Sequence, residues 1–524
     1  MVNPMNTDKP DEEIVADIVR DPRAFHRTWA DSPLLKGTAF QRKGRPVDGA
    51  DAIPPASAWH EAVPEAFWDG HPDVIACWRR AWEIVGSKIR APEPGSGFTR
   101  NYVFTKFSGA VFVWGSCFIT MFGKYGCGAF PFIRMLENFY GAQDSDGFIP
   151  RELDIRTGRS AFERNDPSSV GGDLFAWAEW QWFLFSGDRA RLAAVYPALL
   201  AYHRWIRKHR TWKDGTYFAS GWGCGMDNIP RIDTARYNEV FDHGHLSFVD
   251  VTLQQILDAR LLLRIAEAAG IETGRTELAE EAEALTRLAN ERMWDDGAGL
   301  YKDLDRDGRR IACSHVGAFW ALLAGVAPPD RARRLLAALD DPARFRVACG
   351  TASTSRDTPG FDPDGGCYWR GGVWCMMEYM VAEGLAACGL ADDAHRLARR
   401  HVEAVAEVFR KTGSIWESYS PSAVEPGRIW GQLVRNEFVG FSGIAPIAML
   451  IEHVFGIRAT VERVDWTVRL AEAHGVRRLR LGDGTLLDLE CAARRSPSET
   501  PRVTVRASRP IPVFVNGAPV SIRL

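Results

Sequence analysis

Residues 221–231 read GWGCGMDNIPR and residues 413–427 read GSIWESYSPSAVEPG. Asp227 in the first stretch and Glu417 in the second each stand in a turn crowded with Gly, Pro and aromatic residues. Glycines let a backbone pass close to other groups, and Pro230 keeps Asn228–Ile229 from running on as a helix. A carboxyl held in such a turn with little water keeps its proton longer, as a general acid must. Taken one at a time, the plainer readings are favoured: Asp227 as a turn cap or a partner of Arg231, Glu417 as a helix-end or solvent-facing acid. Taken together, two loop carboxylates from distant parts of the chain, both among aromatics, match the acid–base pair of a glycosidase. Glu425, in a more open turn, is a weaker candidate. Between the two loops lies GGCYWRGGVWCMMEYMVAEGL (365–385). There Arg370 can fork onto a carboxylate or sugar hydroxyls, while Tyr368, Trp369 and Trp374 supply ring faces for a pocket wall.

The chain carries 19 Trp. Most are expected in the core, but those set beside glycines and charges suit pyranose rings, whose C–H faces are apolar and whose edges carry hydroxyls. Other candidate motifs fail. DLDRDG (303–308) imitates the start of a calcium loop, yet Ser314 stands where the bidentate Glu belongs, so a polar hairpin turn is the better reading. His243 and His245 are read as positioning residues rather than metal ligands. The sequence has no phosphate loop, dinucleotide fingerprint or nucleophile elbow. No metal and no cofactor are therefore expected.

Long helices are needed to hold these loops, and the sequence supplies them. From HPDVIACWRRAWEIV (71–85) onward apolar residues recur three or four apart. Further segments of this kind fall near 115–140, 173–186, 189–208, 246–269, 275–293, 313–325, 330–339, 371–388, 391–410 and 441–455. Hairpins of helices alternating with long Gly/Trp/Pro-rich loops suit a toroid whose loops gather around one mouth. Residues 1–65, rich in Pro, Asp and Ala, read as an extended lead-in with one short helical stretch at DEEIVADIVRD. Residues 66–458 read as the helical domain. Residues 459–524 alternate every second residue around GDGT and NGAP turns and read as a small antiparallel β module.

Composition narrows the function classes. The 524 residues are 46% hydrophobic and 25% charged with a formal charge of −3, which gives no basic footprint for nucleic acid or an anionic membrane. The polar N-terminus does not read as a signal peptide, and ten scattered cysteines without a CxxC pair suit a cytoplasmic protein with reduced thiols. The expected partner is a small carbohydrate; a homo-oligomer is left open.

At these stretches the chain resembles glycoside hydrolase family 63, most closely its bacterial branch of mannosylglycerate and glucosylglycerate hydrolases. The motifs that carry this are GWGCGMDNIPR, YWRGGVW, IWESYSP and FVGFSGIAPI, supported by VWGSCFITMFGKYG and QDSDGFIPREL, in the family's order. The resemblance implies an (α/α)6 barrel and an inverting mechanism on an α-glucoside or α-mannoside with a small, acidic aglycone such as glycerate. It makes Asp227 the general acid and Glu417 the general base, with carboxyls about 6.5–9.5 Å apart. It places Trp114, Trp222, Tyr368, Trp369, Trp374 and Gln432 around the glycone and matches Arg231 and Arg370 to motif positions.

The chain departs from that pattern at Gly115, where the family has an Asp that holds sugar hydroxyls, and more mildly at Phe441, where Trp is common. Three consequences are open: a different glycone, a substitute residue, or a sugar-binding relative without hydrolysis. Retention of Asp227 and Glu417 argues against the last. A non-hydrolytic epimerase on the same toroid would need central histidine bases, and no convincing His pair replaces the carboxylates.

Overall fold

A computed structural model describes residues 31–36, 38, 40, 53, 55, 59, 61–105 and 108–523. The expected helical stretch at DEEIVADIVRD lies outside them.

Twelve helices form two concentric rings. The inner ring is α2 (Val113–Gly123), α4 (Phe175–Ser186), α6 (Val249–Ala269), α8 (Trp320–Leu323, preceded by a 3-10 turn), α10 (Cys375–Ala387) and α12 (Ala445–Val454, with π-type hydrogen bonding). The outer ring is α1 (Pro72–Ser87), α3 (Glu137–Ala142), α5 (Arg189–His209), α7 (Arg275–Leu288), α9 (Pro329–Asp340) and α11 (Ala391–Thr412). Each inner helix packs on the next, and α12 returns to α2, which closes an (α/α)6 barrel. The sequence explains the sorting. VWGSCFITMFG in α2 and APIAMLIEHV in α12 are apolar on all sides and are buried along almost their whole length. α11 keeps its apolar residues on one face, burying Leu397, Ala398, Val402 and Val405 while Asp392, Arg396 and Arg410 face water.

Connections are unequal at the two ends of the barrel. Except at 124–136, links from an inner helix to the next outer one are short, as at residues 187–188 and 388–390. Links from an outer helix into the next inner one are long: 88–112, 143–174, 210–248 and 413–444. The long loops therefore gather at the N-terminal end of the inner helices, as the alternation of hairpins and loops predicts.

The last residues form two four-stranded sheets. One orders Glu65–Trp68, His474–Arg480, Leu486–Cys491 and Val503–Ala507, all antiparallel. The other orders Ile457–Ala459, Val464–Trp466, Val513–Val515 and Ala518–Pro519, in which the central pair runs parallel. Strand Glu65–Trp68 straddles the boundary expected at residue 65 and joins the C-terminal module, because its pairing partner is His474–Arg480. At NGAP, Asn516 and Gly517 both take left-handed φ, the backbone that a two-residue hairpin turn demands. All ten cysteines are free thiols. Among the described residues no helix is long and apolar enough to cross a membrane.

A buried polar knot ties the ends of the inner ring. Glu452 of α12 accepts hydrogen bonds from Tyr125 just after α2 (2.6 Å) and Tyr379 of α10 (2.9 Å), and ion-pairs with Lys124 (2.9 Å) and Arg458 (3.0 Å). Against its burial, Lys124 and Arg458 hold the Glu452 carboxyl below its ordinary range. Removing Glu452 would leave Lys124 without its buried counter-charge and Arg458 with Glu383 alone. Glu452→Ala should therefore lower unfolding free energy by about 3–5 kcal/mol in urea titration. A loss below about 1 kcal/mol would show that the knot does not hold the ring closed.

Candidate active site

The long loops enclose a cavity of about 300 Å3. Asp227 and Glu417 both line it, together with Trp114, Trp222, Tyr368, Trp369 and Trp374. Seven of the ten residues expected around the sugar are thus brought together.

The loop carrying Asp227 begins with one helical turn, Gly221–Cys224, capped by Ser220, whose hydroxyl accepts from Gly223 N at 3.0 Å. A Cβ on Gly221 would lie 2.0 Å from the carbonyl oxygen of Asp227 and 2.6 Å from that of Glu239. Only glycine lets the loop fold back that closely, which answers why so many glycines precede this carboxylate. Burial pushes the Asp227 carboxyl up to about 7; the guanidinium of Arg151 opposes the rise and the charge of Glu417 adds to it. At neutral pH a large share of Asp227 therefore carries a proton.

Glu417 is buried and firmly held. Its Oε1 accepts from the Tyr368 hydroxyl at 2.8 Å, and Arg435 Nη1 reaches Oε1 and Oε2 at 2.8 and 2.7 Å. Backbone bonds fix its peptide: Glu417 N donates to Arg435 O at 2.9 Å, and Ser442 Oγ donates to Glu417 O at 3.2 Å. Burial and the neighbouring carboxylates raise the Tyr368 phenol well above its ordinary range, so it remains a donor to Glu417.

Tyr368 is delivered by an unusual backbone. Gly365, Gly366, Cys367 and Tyr368 all have positive φ (84°, 81°, 30° and 69°). Bulky residues seldom adopt this region and need surrounding structure to hold them there. Asn228 supplies part of it. Its Nδ2 donates to Cys367 O at 3.0 Å, and its Oδ1 accepts from Trp369 N at 2.9 Å. Tyr368 N donates to Arg428 O at 2.7 Å, while Arg428 N donates to Gly365 O at 2.9 Å. The residue next to Asp227 thus braces the segment that orients Glu417.

Three expected residues are not at the cavity. Arg231 is buried behind it, with Nη1 bonded to Asp250 (2.8 Å) and reaching Asp303 (3.5 Å) and the guanidinium over the Phe248 ring. Arg370 pairs with Glu239. Gln432 is exposed on the hairpin of Arg428–Ile429 and Gln432–Leu433. The correction has a plain physical cause: both arginines find carboxylate partners elsewhere in the sequence, and the hairpin carries Gln432 outward. DLDRDG divides similarly. Asp303 is buried in the Arg231 network, while Asp305 caps the turn by accepting from Asp307 N and Arg309 N. The two buried clusters with metal-ligand chemistry among the described residues, Asp250–Asp303–His315 and Glu383–Glu452–His453, are each bonded to an arginine, Arg231 and Arg458.

Sequence reasoning missed Arg151, Glu152 and Arg435. Arg151 lines the cavity with its guanidinium about 5 Å from the rings of Phe112, Phe162 and Trp222, paired with Glu152 at 2.7 Å. Its signal was the arginine in FIPREL, a motif noted only as a whole. Arg435 sits in an ordinary-looking LVRNEF, and nothing local marks it.

Known proteins share this architecture. Residues 131–428 match the mannosylglycerate hydrolase MGH1-like glycoside hydrolase domain. An uncharacterized protein of Borreliella burgdorferi is 24% identical over 375 residues, covering 70% of this chain and 76% of that one. Mannosylglycerate hydrolase MGH1 of Selaginella moellendorffii is 29% identical over 283 residues, covering 43% of this chain and 55% of its own length. The GH63 mannosylglycerate hydrolase of Thermus thermophilus, solved in complex with glucose, superposes with a TM-score of 0.55 at 22% identity, covering 71% of this chain and 98% of that one. With more than half its length matched, and with the barrel and loop carboxylates that the motifs foretold, the chain belongs to the MGH1-like glycoside hydrolase family.

Proposed function

We propose that this protein is an inverting α-glycosidase in which Asp227 protonates the leaving oxygen and Glu417 activates the attacking water. The observation that carries this reading is the divergence of two carboxyls lining one cavity. Asp227 is pushed up to about 7, while Glu417 is fastened by Arg435 and Tyr368. An ion-paired carboxylate with a fixed orientation can receive a proton from water, and a carboxyl that holds its proton near neutrality can give one up. As a glycosidic bond breaks, the Asp227 proton passes to the departing oxygen, and a water proton passes to Glu417 as its oxygen joins the anomeric carbon. The opposite anomer results.

The ring faces of Trp222, Trp369 and Trp374 supply apolar walls for a pyranose. The substrate reading is a small α-glucoside or α-mannoside. Arg151 and Arg159, which line the cavity, favour an acidic aglycone such as glycerate and replace Arg231 and Arg370 in that role. A cytoplasmic location is part of the same reading, supported by the cysteines being free.

Proton NMR of the protein with α-glucosides and α-mannosides, glycerate conjugates included, tests the reaction. The β-anomer of one sugar should appear before mutarotation. Early α-anomer would overturn inversion, and silence across the panel would overturn hydrolysis. Asp227→Asn and Glu417→Gln should each lower kcat by about 10²–10⁴-fold with the fold intact; unchanged turnover in both would remove the pair from the mechanism.

Asp227 also makes stability depend on pH. Its folded value of about 7 lies above the 3.8 of an unperturbed carboxyl. Ionising it therefore costs the folded state progressively as pH rises from about 4 to about 7, and by a constant amount above that. Asp227→Asn should gain stability over the parent across this window, by about 4 kcal/mol at pH 8, and show no gain below about pH 4. A difference that does not vary with pH in thermal melts would contradict the raised value.

A further inference from the structure

Gly115 has no structural reason to be glycine. It sits in the first turn of α2, where its φ is not left-handed, so the backbone does not require it. A glycine within a helix weakens that helix by leaving more freedom to the unfolded chain. Packing does not require it either. A Cβ at Gly86, Gly123, Gly384 or Gly443 would come within 2.8 Å of a neighbour, whereas at Gly115 it would meet nothing within 4 Å. Among the described glycines, Gly115 alone combines an ordinary φ with open space around the missing side chain. That space belongs to the cavity, which Gly115 lines.

The surroundings give the space its chemistry. Ile119 lies one turn below on the same face of α2 and also lines the cavity. The segment Ser442–Ile444 packs against α2. It brings Phe441 beside Trp374 (ring centroids 5.7 Å) and Phe438 (4.8 Å), and all three line the cavity, as does Met376. Of the ionisable groups of the lining, Arg151, Glu152, Asp154, Arg159 and Asp227 come from other loops, while Glu417 shares the 413–444 loop with Phe438 and Phe441. Apart from the Ser116 hydroxyl and the Trp114 indole nitrogen, the side chains that α2 and Phe438–Phe441 bring to this part of the cavity are carbon. The notch beside Gly115 would leave a sugar hydroxyl short of partners but would accept an apolar group.

We infer that Gly115 is a specificity-determining position and that the notch it leaves seats an uncharged apolar substituent on the sugar: a deoxy position, an O-methyl ether or a short O-acyl ester. This rests on the glycosidase reading above.

The test compares binding of methyl α-D-glucoside and methyl α-D-mannoside with that of their 6-deoxy analogues and their mono-O-methyl ethers, by calorimetry on the full chain. At least one derivative should bind the parent protein about tenfold or more tightly than the unsubstituted sugar. In Gly115→Val, which fills the notch with branched carbon, that preference should fall to about twofold or less. Gly115→Ala serves as the folding control and should melt no lower than the parent. A parent protein that prefers the unsubstituted sugar, or a preference that survives Gly115→Val, would overturn the inference. If the unsubstituted sugars bind best and their glycosides are hydrolysed with inversion, the glycosidase reading stands and this inference alone fails. If no sugar binds and none is released, both fail.

Discussion

The side-chain amide of Asn228 joins the two halves of the site. Its NH2 group bonds to Cys367 O and its carbonyl to Trp369 N, gripping the peptides on both sides of Tyr368. Tyr368 sits in a left-handed conformation that costs a bulky residue on the order of 1–3 kcal/mol. The grip of Asn228 and the bonds to Arg428 offset that cost, and the result is a phenol aimed at Glu417. Because Asn228 follows Asp227 directly, Asp227 and the group that orients Glu417 are positioned by the same loop. The relative placement of the two carboxyls is thus set by a few hydrogen bonds between loops, on top of the barrel that carries them.

The barrel keeps its structural charges apart from its reactive ones. Arg231 is matched by Asp250 and Asp303, and Arg458 by Glu383 and Glu452, in clusters that brace helices and loops without lining the cavity. At the cavity the balance differs. Arg435 grips Glu417, while Arg151 is held by Glu152 and three aromatic rings and only partly counters the burial of Asp227. That neutralisation is incomplete: Asp227 keeps a proton affinity near neutrality instead of becoming another settled ion pair.

How much of this could be read from residues alone depended on whether the cause was local. Helix positions and the one-sided gathering of loops follow from apolar periodicity and from loop length, both of which are local. Asp227 and Glu417 stood out because glycines, prolines and aromatics surround them in sequence as well as in space. The NGAP turn announced itself through its two residues that tolerate left-handed φ. Arg435 did not, since its role arises only when LVRNEF folds back onto IWESYSP. The contacts of Arg231 and Arg370 could not be read locally for the converse reason. Both arginines neighbour the motif in sequence, but their carboxylate partners, Asp250, Asp303 and Glu239, arrive from other segments. The pairing of strand Glu65–Trp68 with His474–Arg480 joins segments far apart in the sequence, so nothing local announced it.

The central claim is that Asp227 is a carboxyl kept protonated near neutrality in the same cavity as the Arg435-paired Glu417. Carbon-13 NMR of the Asp227 side-chain carboxyl, assigned by comparison with Asp227→Asn, measures this directly across a pH titration. The account predicts a midpoint near 7 that falls in Glu417→Gln, because the Glu417 charge contributes to the rise. A midpoint near about 4, unchanged when Glu417 is neutralised, would contradict it.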